Sequence, residues 1–183
     1  APLLGLFKRM RDLPDDDLWD WVSGYWPALF RNKREAAAPA LRRIAEDRAL
    51  DWHPRSEAMG CVLEAAVASG SETLEAALDG VAAIAADVTE DDDTRSWMGI
   101  ALLNFPRERH RLLLESLVDL QRQQAGLLCM LFDMDGIVRD FQTGDAPEWE
   151  RFADPWAFYD PEAIAQRQRR WVEESSAGED NFL

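Results

Sequence analysis

A spacing near 40 residues constrains this chain more than any other feature. Ile44-Ala-Glu-Asp47 and Ile84-Ala-Ala-Asp87 lie 40 positions apart, and Met59-Gly60 and Met98-Gly99 lie 39 apart, as do Leu63 and Leu102. Between these words, apolar residues recur at helical spacing and Gly and Pro mark the breaks. Helix pairs begin near residues 15, 54 and 92. A single helix pair cannot bury its own apolar face, so a chain of such pairs must stack them.

A pass along the chain gives the elements. Residues 2–12 predict a short amphipathic lead helix. Pro14-Asp15-Asp16-Asp17 reads as a helix start, with acids on the positive end of the helix dipole. Leu18, Trp19, Val22 and Trp26 follow at helical spacing, and Pro27 disturbs that helix near its end. The next helix covers 33–48, with Leu41 and Ile44 on its buried face and Pro39 in its first half. Asp51-Trp-His-Pro54 is a turn. Helices follow over 55–69 (Met59, Val62, Leu63, Ala66), 72–87 (Leu74, Leu78, Val81, Ile84), the stretch after Glu90–Asp93 (Trp97, Ile100, Ala101, Asn104) and 107–123 (Leu113, Leu117, Leu120).

The period, with two helices per unit, predicts an all-α, HEAT-like stack of antiparallel helix pairs, an α-solenoid. The pairs fall near 15–48, 54–87 and 92–123, followed by an irregular C-terminal cap over 126–174. Together these form one domain, 1–174, with an acidic, flexible tail over 175–183. Residues 126–141 read as a helix broken at Gly136 or as a hairpin turning at Asp135-Gly136.

Charge narrows the partners. The formal net charge is −15, with +1 in residues 1–50 and −8 in each of 51–110 and 111–183. Phosphate backbones are repelled by two thirds of such a chain. A nucleic-acid partner would need a basic face, which only Arg31, Lys33, Arg34, Arg42 and Arg43 could form. A basic protein is the better-matched partner. No run approaches a membrane span. Cys61 and Cys129, both among apolar neighbours, read as buried free thiols of a cytoplasmic protein.

Asp92-Asp93-Thr-Arg-Ser-Trp97, then Asn104-Phe-Pro-Arg-Glu108, then Phe152-Ala-Asp-Pro155 with Phe158-Tyr159, resembles an uncharacterised bacterial family of HEAT-like helical proteins. The resemblance covers roughly residues 50–160. It implies the fold and no particular activity. Members often end in a Cys-rich metal-binding tail, which this chain lacks.

Few residues assemble into chemistry. Met130-Leu-Phe-Asp133-Met-Asp135-Gly136 is similar to the first motif of haloacid-dehalogenase-type phosphatases. That resemblance implies a magnesium-dependent phosphohydrolase in which an apolar strand delivers Asp133 as nucleophile and Asp135 as acid/base. Ile137 stands where the family has Thr, no Lys follows Lys33, and only 47 residues follow Gly136. An apolar segment ended by an Asp-Gly turn explains the same residues. His53 and His110 have no ligand partners at zinc spacing. The acid runs lack the alternating pattern of a calcium loop, so no metal or cofactor is expected.

The expected function is therefore a non-enzymatic protein-interaction module with an acidic surface, in one form an inhibitory or immunity-type protein against a basic partner. Its candidate binding residues are Trp19, Trp21 and Trp26 in the first helix pair and Asp91, Asp92, Asp93 and Trp97 in the third. An exposed Trp is a common anchor for partners. Trp149, Phe152, Trp156, Phe158 and Tyr159 form a second aromatic cluster, expected to close the open end of the stack.

Overall fold

A computed structural model of the chain describes residues 2–12, 25–30, 34–124, 130–147, 151 and 159–179. Every regular element among them is helical: α1 (Pro2–Arg11), α2 (Trp26–Phe30), α3 (Arg34–Ala45), α4 (Trp52–Ser69), α5 (Ser71–Ala86), α6 (Asp92–Leu103), α7 (Arg111–Gln124), α8 (Met134–Thr143) and α9 (Pro161–Glu179), with a 3₁₀ turn, Glu108–His110, leading into α7. None of these helices is long and apolar enough to cross a membrane. The chain divides into two compact units, Ala1–Phe152 and Ala153–Leu183.

In the first unit α4 is the central element, in contact with α2, α3, α5 and α6. Its sequence explains the position. Ala58, Met59, Cys61, Val62, Leu63, Ala65 and Ala66 are all buried, so α4 hides most of its circumference rather than one stripe. The helix starts three residues earlier than its periodicity indicates, because Asp51 Oδ1 accepts from the Trp52 N–H at 2.6 Å. It ends at Gly70, whose φ of +107° suits glycine and lets its N–H reach Val67 O at 3.3 Å.

α5 buries Leu74, Ala77, Leu78, Val81 and Ala85 and packs against α4 and α6. Asp91 opens α6, accepting from the Thr94 N–H at 2.8 Å, while Asp92 and Asp93 sit in the first turn, where the dipole favours anions. α7 buries Leu114, Leu117 and Val118, a stripe turned by one position from the expected Leu113, Leu117 and Leu120. The close approach at Gly99 carries the packing of the last segment. A Cβ there would meet the Phe132 ring at 2.7 Å and Leu117 Cδ1 at 3.0 Å, so only glycine admits Phe132 onto α6.

The aromatic start of the unit is a core. Phe7 of α1 stacks edge-on to Trp26 at 4.8 Å, and Phe30 lies 6.1 Å from Trp26. Pro27 occupies the second position of α2, where its missing N–H costs nothing. Pro39 by contrast lies inside α3, which begins five residues before it.

One hydrogen bond is made twice, forty residues apart. Arg55 Nε donates to Ala45 O at 3.1 Å, and Arg95 Nε donates to Ala85 O at 3.1 Å. The loops before these arginines match as well: Asp47 Oδ1 accepts from the Ala49 N–H at 3.1 Å, and Asp87 Oδ1 from the Thr89 N–H at 2.9 Å.

The second unit holds α9, whose first turn is fixed by Asp160 Oδ1 accepting from the Glu162 N–H at 2.8 Å. The helix continues through Ser175 to Glu179, where the composition predicts a flexible tail. Of the second aromatic cluster only Tyr159 lies within the described residues, and it is 67% exposed.

Candidate binding surface

Two loops converge around Arg55. Its guanidinium is buried and grips Glu90 with two bonds, Nη1 to Oε1 at 3.0 Å and Nη2 to Oε2 at 2.6 Å. Arg48, from the α3–α4 loop, reaches across to Asp87, to Thr89 Oγ1 at 3.0 Å and to Glu90 Oε2 at 3.5 Å. Glu90 is held below the usual carboxylate range, first by the Arg55 hydrogen bonds. These contacts pin the α3–α4 loop to the α5–α6 loop and engage both cations internally.

Beside them opens a recess of about 520 Å³, lined by Arg48, Asp51, Trp52, Thr89, Glu90, Asp91 and Asp93 among others. With Arg48 and Arg55 engaged, Asp51, Asp91 and Asp93 line it without an ion pair among the described residues, the first two as helix caps. The Asp93 carboxyl is pushed up, first by burial and then by the charges of Asp91, Asp51 and Asp92. Four carboxylates, Asp51, Glu90, Asp91 and Asp93, and two arginines line the recess, so its lining is net negative. Asp92 pairs with Arg95 at 3.0 Å.

A second, narrower cleft of about 150 Å³ runs between α4 and α6. Pro27, Glu57, Gly60, Leu63, Glu64, Trp97, Ile100, Ala101, Asn104, Phe105 and Arg151 are among its lining. Glu64 is paired with Arg151 at 2.5 Å, and the Arg151 guanidinium lies 4.8 Å from the centre of the Phe105 ring. Glu57 has no such partner among the described residues, and burial pushes its carboxyl from 4.5 up to about 8. Cys61 is a buried free thiol whose titration is driven upward by burial and then by Glu57 and Glu64. Trp52 lines the acidic recess and Trp97 the cleft, and their rings lie face to face at 4.9 Å with 5° between planes. His53 stacks on the same Trp52 at 4.7 Å.

Of the sequence-predicted binding residues, Asp91, Asp92, Asp93 and Trp97 come together at the start of α6. Trp19 and Trp21 lie outside the described residues. Trp26 is corrected: at 1% exposure, between Phe7 and Phe30, it is core and offers no surface.

Asp133 and Asp135 are corrected as well. The phosphatase-like reading needs a strand delivering Asp133, and residues 130–133 are not strand. Asp133 instead caps α8, accepting from the Gly136 N–H at 2.7 Å, and Asp135 is an exposed first-turn acid. His110 is buried against Asp79, with Nε2 to Oδ1 at 3.1 Å. Among the described residues no group of three His, Cys, Asp or Glu side chains is placed to hold a metal ion.

Sequence reasoning missed Arg55, Arg95, Trp52 and Glu57. A signal existed for the arginines, since Arg55-Ser56 and Arg95-Ser96 recur at the same offset of 40 as Asp47 and Asp87. Glu57 carries no signal, because a helical Glu is by default a surface residue. Comparison of this chain with protein-family models, with curated proteins and with solved structures finds no match.

Proposed function

We propose that this chain is a non-enzymatic protein-interaction module, a HEAT-like stack of antiparallel helix pairs whose acidic surface binds a basic protein. The observation that carries this reading is the recess at the two pinned loops. Asp51, Asp91 and Asp93 line it together without an ion pair among the described residues, while the neighbouring arginines are engaged internally. A partner's Lys or Arg side chains would relieve that repulsion, and the flat Trp52–Trp97 pair offers a rigid aromatic wall at little entropic cost. The stack is supported by the twin arginine bonds to Ala45 and Ala85, which tie each helix start to the end of the helix ten residues earlier. An inhibitory or immunity-type role against a basic enzyme or toxin is the concrete form we favour, since complementary charge speeds association with such a partner.

The test is capture from native lysate on the immobilised chain, at low and moderate salt, beside an Asp51→Asn/Asp91→Asn/Asp93→Asn variant. Asparagine keeps the helix caps while removing the charge. A stoichiometric basic protein, released by salt and not retained by the variant, supports the module. Equal retention by both chains, or no retained protein, overturns it.

A further inference from the structure

The narrow cleft between α4 and α6 is built unlike the open recess beside it. Its volume, about 150 Å³, suits a single side chain or a molecule of that size. Pro27, Leu63, Ile100 and Ala101 give it apolar walls, and Trp97 gives it an aromatic face. Two polar side chains in it make no hydrogen bond or ion pair among the described residues: the Glu57 carboxyl and the Asn104 carboxamide. The other charges that line it, Glu64 and Arg151, are already paired with each other. Of the neighbouring elements, α2 contributes only Pro27, α6 contributes no titratable group, and the Cys61 thiol beside Glu57 is held neutral.

From this arrangement we infer that the cleft seats a lysine side chain of the basic partner. Its alkyl stem lies along Ile100, Ala101 and Leu63, and its ammonium lies between Glu57, Asn104 and the Trp97 face. An ammonium carries three donors and a compact charge, which matches two oxygen acceptors and one aromatic ring. Arginine fits less well, because its planar fork seeks a bidentate carboxylate, and Glu57 is flanked by apolar walls. The cation supplies the countercharge that burial denies Glu57, so seating it drives the Glu57 proton into solvent. The inference rests on the proposed module and adds the residue type that anchors it.

The experiment uses the full chain with ¹³C-labelled glutamate. The Glu57 carboxyl is titrated with n-butylamine, with n-butanol and with potassium chloride matched in ionic strength. The expected result is that butylamine lowers the Glu57 midpoint from about 8 by about one unit or more, and that butanol and salt do not. Gly60→Leu should remove the response. Gly60 lines the cleft, and a Cβ there meets only Pro27 Cγ at 4.0 Å, so the first carbon of a larger side chain enters without a clash. Helix content by circular dichroism checks that this variant folds. An unmoved midpoint, or an equal shift with salt, overturns the site.

Partner capture then separates the two claims. Glu57→Gln should weaken it by about tenfold or more. If the triple Asp variant loses the partner and Glu57→Gln keeps it, the lysine seat falls and the acidic module stands. If neither variant changes capture, or nothing basic is captured, both fall.

Discussion

Arg55 and Glu90 form a buried, two-pronged ion pair, with bonds of 3.0 and 2.6 Å that join the start of α4 to the loop before α6. The arginine is 1% exposed and its third donor satisfies Ala45 O. A pair so enclosed contributes less through its attraction than through the penalty of breaking it. Arg55→Ala should cost about 3–5 kcal/mol, because Glu90 is then left charged and half its partners are gone. Arg55→Met with Glu90→Leu should recover most of that loss. Urea denaturation of the three chains at neutral pH checks both numbers.

The same pair predicts an acid-sensitive fold. Glu90 is held below the usual carboxylate range, with the Arg55 hydrogen bonds as the main cause. A carboxylate lowered in the folded state adds stability above its unfolded value, and that stability is lost as pH falls through the folded value. Stability should therefore decline on acidification below the ordinary carboxylate range, and the decline should be shallower in the Arg55→Met/Glu90→Leu chain.

Glu57 predicts the opposite slope. Burial raises it from 4.5 to about 8. Between those values the folded chain holds a proton that the unfolded chain has released, so its contribution is full below about 4.5 and falls as pH rises to about 8. Glu57→Gln should remove this slope and stabilise the chain above that range, by up to about 5 kcal/mol at about 1.4 kcal/mol per unit. Thermal unfolding of both chains across the neutral range reads it.

Gly60 and Gly99 occupy related places in the 39-residue spacing but should respond oppositely to alanine. At Gly99 the added methyl meets Phe132 and Leu117 at 2.7–3.0 Å, an overpacking cost of about 1–3 kcal/mol that outweighs the helical gain of alanine. At Gly60 the nearest atom is 4.0 Å away, so the helical gain of about 1 kcal/mol should appear almost undiminished. Chemical denaturation of Gly60→Ala and Gly99→Ala gives the two signs.

Trp52→Ala should expose one face of Trp97 and remove a wall of the acidic recess. The stacked pair contributes about 0.5–1.5 kcal/mol beyond the area it buries. The measurable consequence is a loss of stability larger than that, since the buried area goes too, accompanied by weaker capture of the basic partner at low salt.

By itself the sequence determined the helical class and most helix positions, because apolar spacing and Gly/Pro breaks act locally. The helices at 34–45, 52–69, 71–86, 92–103 and 111–124 fall within a few residues of their expected bounds. It also determined the acidic start of α6, since Asp91, Asp92 and Asp93 serve a local cap and dipole. It left 126–141 open between helix and hairpin, since a run of contiguous apolar residues has no period; the α8 helix at 134–143 follows from the Asp133 cap. What only the tertiary structure decided is which polar groups meet. Arg55 finds Glu90 across 35 residues and Arg151 finds Glu64 across 87, and these pairings leave Glu57 without an ion pair among the described residues. Periodicity tells a residue which way it faces along its own helix. Whether a charge there is paired, buried or waiting depends on a second helix, and that neighbour is chosen by packing.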